Sequence, residues 1–201
     1  MNDTKKARTN HPVHDLIACR WSPYVYDATR PLSDDDLRSL FEAVRWAASS
    51  YNEQPWRFIV ARHQDNEDFE RMLSCLVPPN REWAAAAGAL VLTAVSTRFA
   101  RNNRENRTAQ HDLGLAMGNL CLEATDRGIA VHQMAGVDLD RARTAWNIPA
   151  DIEVVTAFAL GYPGTPDGAG EIGLRDTTAR SRREQVEFVF GGTWGRSAPF
   201  V

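Results

Sequence analysis

The run from Gln110 to Arg127 constrains the fold more than any other part of the chain. Leu113, Leu115, Ala116, Met117, Leu120, Cys121, Leu122 and Ala124 fall along it and leave little of its surface polar. A helix that is apolar nearly all round has to be covered on several sides, by a core or by a second subunit. Gly114 and Gly118, four residues apart, permit close backbone approach on one of those sides. Asp112 reads most simply as an N-terminal cap, with a catalytic part for it or for His111 as the alternative. Gly128 reads as the C-terminal stop.

Short apolar runs supply the strands that such a helix covers: Phe58-Ile59-Val60, Ala89 to Val95, Ile129 to His132, and Ile152 to Leu160. Val186 to Phe190 alternates like an edge strand. Leu37, Leu40, Phe41, Val44 and Ala48 repeat at helical spacing behind Ser33, a good N-cap followed by Asp34, Asp35 and Asp36 in the first turn. A second amphipathic helix carries Phe69, Met72, Leu73 and Leu76, and Pro78 and Pro79 are expected to end it. Asp138 can cap a further helix, and Tyr162 to Gly173 is loop. At 201 residues the chain reads as one domain over 12–201 behind a flexible tail, Met1 to His11.

Composition removes several function classes. A net charge of -3 gives no electrostatic ground for nucleic acid or a membrane surface. No apolar run is long enough to span a bilayer. Cys19, Cys75 and Cys121 are odd in number and widely spaced, which argues against a disulfide framework or zinc site and suits a reducing cytoplasm. His11 and His14 lack evident co-ligands, so no metal is expected. Neither a G-x-G-x-x-G fingerprint, a P-loop nor a G-x-S-x-G elbow occurs.

Four polar stretches remain. Ser49-Ser50-Tyr51-Asn52-Glu53-Gln54, stopped by Pro55, sits between Trp46 and Trp56 and offers donors and acceptors beside flat apolar surface. That is what a planar, polar ligand requires, although Ser and Asn also make ordinary turns. Arg20-Trp21-Ser22-Pro23-Tyr24 is either a capped turn or a phosphate grip through the Arg20 guanidinium and Ser22 hydroxyl. Arg180-Ser181-Arg182-Arg183 by itself reads as a solvated basic patch. Arg98, Arg101, Arg104 and Arg107 recur every three residues, as a solvated face or loop does, or as a site for an anionic substrate or nicotinamide phosphates.

Taken in order, these stretches resemble the FMN-dependent nitroreductases. Ser49, Ser50, Asn52, Gln54, Pro55, Trp56 and Phe58 match the family pattern A-P-S-S-x-N-x-Q-P-W-x-F, with Ala48 where Pro is usual. Arg20 and Ser22 match R-x-S-x-[RK], with Tyr24 in place of the second basic residue. Asp112, Gly114, Ala116, Asn119, Leu120, Leu122 and Ala124 fit D-x-G-x-A-x-x-N-L-x-L-x-A, and Gly161-Tyr162-Pro163 resembles the G-Y-P ending.

The resemblance implies an α+β fold, a mostly antiparallel central sheet flanked by helices. It also implies an intertwined homodimer built on the long helix, with a C-terminal extension from about residue 178 crossing between subunits. It implies FMN as cofactor and NAD(P)H with a small-molecule acceptor as substrates. Arg20, Trp21, Ser22, Tyr24, Arg180 and Arg182 would gather at the phosphate end of the flavin. Ser49, Ser50, Asn52 and Gln54 would contact the ring, of the flavin held mainly by the other subunit. Met134, Ala135 and Gly136 would lie by its reactive edge, with Ala135 where some relatives carry Glu. A flavin-binding sensor or carrier on the same scaffold is the competing function.

Overall fold

The structure, a computed structural model, describes residues 3–201. Four antiparallel strands form one sheet in the order β1-β2-β4-β3. They are β1 (Trp56–Arg62), β2 (Ala89–Ser96), β3 (Ala130–Met134) and β4 (Ile152–Gly161). Among the described residues seven α-helices accompany them: α1 (Asp15–Cys19), α2 (Asp34–Arg45), α3 (Asn66–Ser74), α4 (Pro78–Ala84), α5 (Ala109–Asp126), α6 (Leu139–Ala145) and α7 (Gly170–Thr177). The α+β architecture expected from the sequence is the one observed.

The alternation of β2 explains the two layers. Ala89, Val91 and Val95 face a core shared with α2 and α5, whereas Leu90 and Leu92 face one shared with α3, α4 and α6. Period-2 geometry sends neighbours to opposite sides, so a strand buried on both faces reads as a continuous apolar run. Thr93 interrupts that run where the β2–β4 register shifts. Its buried hydroxyl donates to the Thr156 carbonyl and accepts the Thr156 amide, both at 3.0 Å, restoring the ladder at the bulge.

On the other face Leu113, Ala116, Met117, Leu120 and Ala124 of α5 point inward, at roughly 1.5–3 kcal/mol per large side chain. Asn119 Nδ2 donates to the Ala43 carbonyl at 3.1 Å, fastening α5 to the end of α2. That helix starts in a capping box, Ser33 Oγ accepting the Asp36 amide and Asp36 accepting the Ser33 amide. Gly114, Leu115 and Gly118 face outward, and a Cβ at either glycine would meet nothing within 4 Å in this chain.

Several local expectations need correction. Pro78 and Pro79 open α4, because Pro lacks only an N–H that the first turn leaves unpaired anyway. Asp112 does not cap α5; Thr108 takes that position. Val186 to Phe190 is not a strand: Gln185–Glu187 is one 3-10 turn, and Phe190 bridges Ser197 alone. Val186 and Phe188 are both exposed, so no sheet face selects one of them.

The N-terminal segment begins outside the described residues at Met1 and Asn2 and is anchored rather than loose at Lys5. The Lys5 ammonium, 7% exposed, donates to the carbonyls of Arg175 (2.5 Å) and Thr178 (2.8 Å) at the end of α7. Among the described residues no helix is long and apolar enough to cross a membrane.

Candidate functional site

The first cluster lies where α1 ends. Its last carbonyls have no partner within the helix, and Arg180 reaches back across the fold to take them. Arg180 Nη1 donates to Arg20 O at 2.6 Å and Nη2 to Ala18 O at 2.7 Å. Arg20 in turn donates from Nη1 to Ser22 Oγ at 3.3 Å. Burial, and then the charges of Arg20 and Arg182, lower the pKa of Arg180. Among the described residues none of the three guanidiniums is paired with a carboxylate.

Two openings flank this cluster. One, of about 370 Å³, is lined by Cys19, Arg20, Trp21, Thr125, Ile129 and Ala130. The other, of about 430 Å³, is lined by Arg8, Arg20, Arg180, Arg182 and Arg183 among others. The sequence reads Arg8 as part of the tail and Arg183 as part of a basic patch; only their proximity in the fold brings them to this opening. Like charges crowded at one place are relieved by an anion, and the Nε of Arg180 is buried without a partner. The donor set therefore fits a phosphate dianion.

Trp21 is half-buried, with the Lys5 ammonium 5.3 Å from its ring centroid. Tyr24 lines neither opening. Its ring meets Trp83 at 5.4 Å and His132 at 4.7 Å, and the Arg175 guanidinium lies 5.0 Å from its centroid. Its amide donates to the buried Asp176 carboxylate at 2.9 Å. His132 stacks on Trp83 at 4.3 Å with Nδ1 2.7 Å from Pro23 O, and burial lowers its pKa.

The second cluster is the Ser49–Gln54 segment. Tyr51 (φ 54), Asn52 (φ 56) and Gln54 (φ 51) all occupy the left-handed region. Non-glycine residues there cost of order 1–3 kcal/mol each and persist only where the surroundings hold them. Here Ser49 Oγ accepts the Gln54 amide at 3.0 Å, and Gln54 Nε2 donates to Asn52 O at 3.0 Å. The main tie is Asp112: its carboxylate, on a residue 2% exposed, accepts the Ser50 amide at 3.1 Å. An expected cap is thus the post that holds the strained segment to α5, a role that only the tertiary structure reveals.

The third group, Met134, Ala135 and Gly136, ends β3. Gly136 O accepts the Val77 amide at 3.0 Å and Asn80 Nδ2 at 3.3 Å, and a Cβ at Gly136 would lie 2.6 Å from Val77 Cγ2. Only glycine lets α4 approach so closely. Ala130, at the other end of this five-residue strand, lines the first cluster's opening, about 13 Å away along the strand.

Within one chain the clusters do not all meet. Asp112 marks the Ser50 end of α5 and Thr125 the Arg20 end, and those thirteen steps of helix span about 20 Å. The phosphate-like cluster and the strained polar segment lie at opposite ends of the same helix.

The Nitroreductase family profile matches residues 17–162. A 15.4 kDa protein of Mycolicibacterium smegmatis is 32% identical over 146 residues, 69% of this chain and 97% of its own length. The major NAD(P)H-flavin oxidoreductase of Aliivibrio fischeri is 41% identical over 67 residues, 31% of each chain. A solved structure described as an oxidoreductase containing FMN superposes with a TM-score of 0.86 at 26% identity, covering 93% of this chain and 95% of that one. With the family profile spanning most of its length, this chain belongs to the nitroreductase family.

Proposed function

We propose that the protein is an FMN-dependent oxidoreductase that moves hydride from NAD(P)H to an electron-poor acceptor by alternating half-reactions at one site. Nitroaromatics, quinones, enones and small aldehydes are the acceptor class. Membership of the family makes the chain an oxidoreductase and FMN its cofactor; the acceptors and the ping-pong order are our reading. When bound, FMN supplies the hydride chemistry at N5. The observation that carries the reading is the convergence of Arg20, Arg180 and Arg182, none of which is paired with a carboxylate among the described residues.

In this reading those guanidiniums and Ser22 hold the phosphate, and Met134 to Gly136 lie toward the ring. Ser49, Ser50, Asn52 and Gln54 face the ring from a second copy of the chain. An antiparallel pairing of α5 about Gly118 would bring this about, by putting one copy's Asp112 end beside the other's Thr125 end. It would also cover Gly114, Leu115 and Gly118. The C-terminal arm, where Trp194 is 90% exposed, would lie against the second copy. No acid–base pair is assigned: the residues position the ring, balance its charge and limit access to its face. We place the protein in the cytoplasm.

The protein purified without added flavin should be yellow and release FMN on denaturation. It should also reduce a model quinone with NAD(P)H. A colourless protein that takes up no added FMN would overturn the proposal, whereas a yellow one without quinone turnover would make it a flavin carrier or sensor.

A further inference from the structure

We infer that the turn 98–104 is a subsite for a phosphate monoester and that it makes the protein prefer NADPH to NADH. The inference rests on the reading that Ser49–Gln54 borders the flavin ring.

Several of the chain's arginines are paired with carboxylates. Arg38, Arg45, Arg71 and Arg127 each contact a carboxylate within 4 Å, as does Arg62 on β1. Arg98, Arg101, Arg104 and Arg107 have no such pair among the described residues, and Glu105 is the single carboxylate in that run. Four arginines against Glu105 within ten positions leave a local excess of positive charge on a chain of net charge -3.

The turn is built rather than slack. Phe99 N donates to Arg104 O and Asn103 N to Phe99 O, both at 2.8 Å, and Arg98 Nη1 donates to Asn103 O at 2.8 Å. It is fastened to the strained segment: Glu53 Oε1 accepts the Ala100 amide at 2.7 Å, and Phe99 meets the Tyr51 ring edge-on at 5.7 Å. Arg101 then lies over Tyr51, its Cζ 4.1 Å from the ring centroid. Tyr51 is held at positive φ with its side chain 74% exposed.

A guanidinium laid on an aromatic face keeps its edge N–H groups for a ligand, and two of them match a phosphate. The exposed Tyr51 ring offers a flat surface to an adenine. NADPH carries a dianionic monoester on the ribose next to its adenine, and NADH carries a hydroxyl there. A carboxylated acceptor shares the anionic chemistry with half the charge, so the two sources separate by experiment.

Adenosine 2′,5′-bisphosphate and 5′-AMP are titrated calorimetrically into the FMN-loaded protein and its R101A and R101K variants. Steady-state rates are measured with NADPH and with NADH. The bisphosphate should bind at least about tenfold more tightly than 5′-AMP, and R101A should erase that margin. R101A should lower kcat/KM for NADPH by a similar factor through KM, with NADH and FMN content unchanged, and R101K should recover part of the loss.

Equal affinity for the two nucleotides, or equal losses with both reductants, would overturn the inference. A loss confined to 4-nitrobenzoate, with 4-nitrobenzyl alcohol and NADPH unaffected, would also overturn it by giving the subsite to the acceptor. Absence of bound flavin is read separately from the absorption spectrum: it sinks the proposed function and the reductant assignment together, whereas calorimetry alone judges the phosphate site.

Discussion

Substitution of Gly118 separates what the chain needs for itself from what it needs for association. A Cβ at Gly118 meets nothing within 4 Å, and the residue lies inside an eighteen-residue helix. In an isolated chain Gly118→Ala therefore removes only a helix penalty, a gain of about 0.8–1 kcal/mol. For a chain of this size that raises Tm by roughly 2–4 °C. In the proposed pair, Gly118 is halfway between Asp112 and Thr125, so each new side chain meets its own copy at the crossing. Gly118→Leu should then dissociate the dimer and lower FMN content, while the monomer unfolds no earlier than wild-type apoprotein diluted until it too is monomeric. Sedimentation velocity reads the association, and thermal unfolding followed by circular dichroism reads the stability. A Gly118→Leu protein that stays dimeric with full FMN would refute the α5 pairing. So would a wild-type protein that is monomeric while holding FMN.

Three further outcomes are expected. Arg20→Ala should weaken FMN more than riboflavin, because only FMN bears the phosphate; equal losses in a flavin fluorescence titration would remove Arg20 from the grip. Asp112→Leu strips the Ser50 amide of its acceptor at the cost of a buried hydrogen bond, about 1–3 kcal/mol. It should loosen the strained segment, read as faster amide exchange at Ser50 to Gln54, and Asp112→Asn, which keeps an oxygen, should recover most of it. His132 has its pKa lowered by burial, so the unfolded chain takes up a proton first as pH falls below about 6.5. Its contribution to stability is complete above that pH and is lost as pH drops toward the lower folded value. His132→Phe, which keeps an aromatic ring on Trp83, should flatten the pH 7.5-to-5.5 change in urea midpoint relative to wild type.

Much of the fold was legible because burial leaves local marks. The strands at 58–60, 89–95, 129–132 and 152–160 stood out as apolar runs, since both faces of the sheet are covered. Ser33 announced the start of α2 by a contact three residues long. What stayed hidden depends on residues far apart in the chain. Asp112 looked like a cap because its partner, the Ser50 amide, is 62 positions away. Val186 to Phe190 alternates correctly for a strand, but alternation needs a neighbouring strand to pair with, and this chain offers none there. Tyr24 could be flagged as a departure from pattern, yet its place against Trp83 and His132 required the fold. The left-handed backbone at Tyr51 and Gln54 had no sequence signal, because neither residue type favours it.

The fastening of the two chain ends bears on how the protein is made. Lys5 reaches carbonyls 170 and 173 positions ahead, and Arg180 reaches back 160 and 162 positions. None of these bonds can form until the segment around residues 175–180 has been made and has left the ribosome. The strands and α5 are complete by Gly161, so the nascent chain can build its sheet while the three-guanidinium cluster is still unmade. In the proposed reading, flavin loading therefore waits for the segment that carries Arg180 and Arg182, and a sheet can be complete while the phosphate end of its site is not.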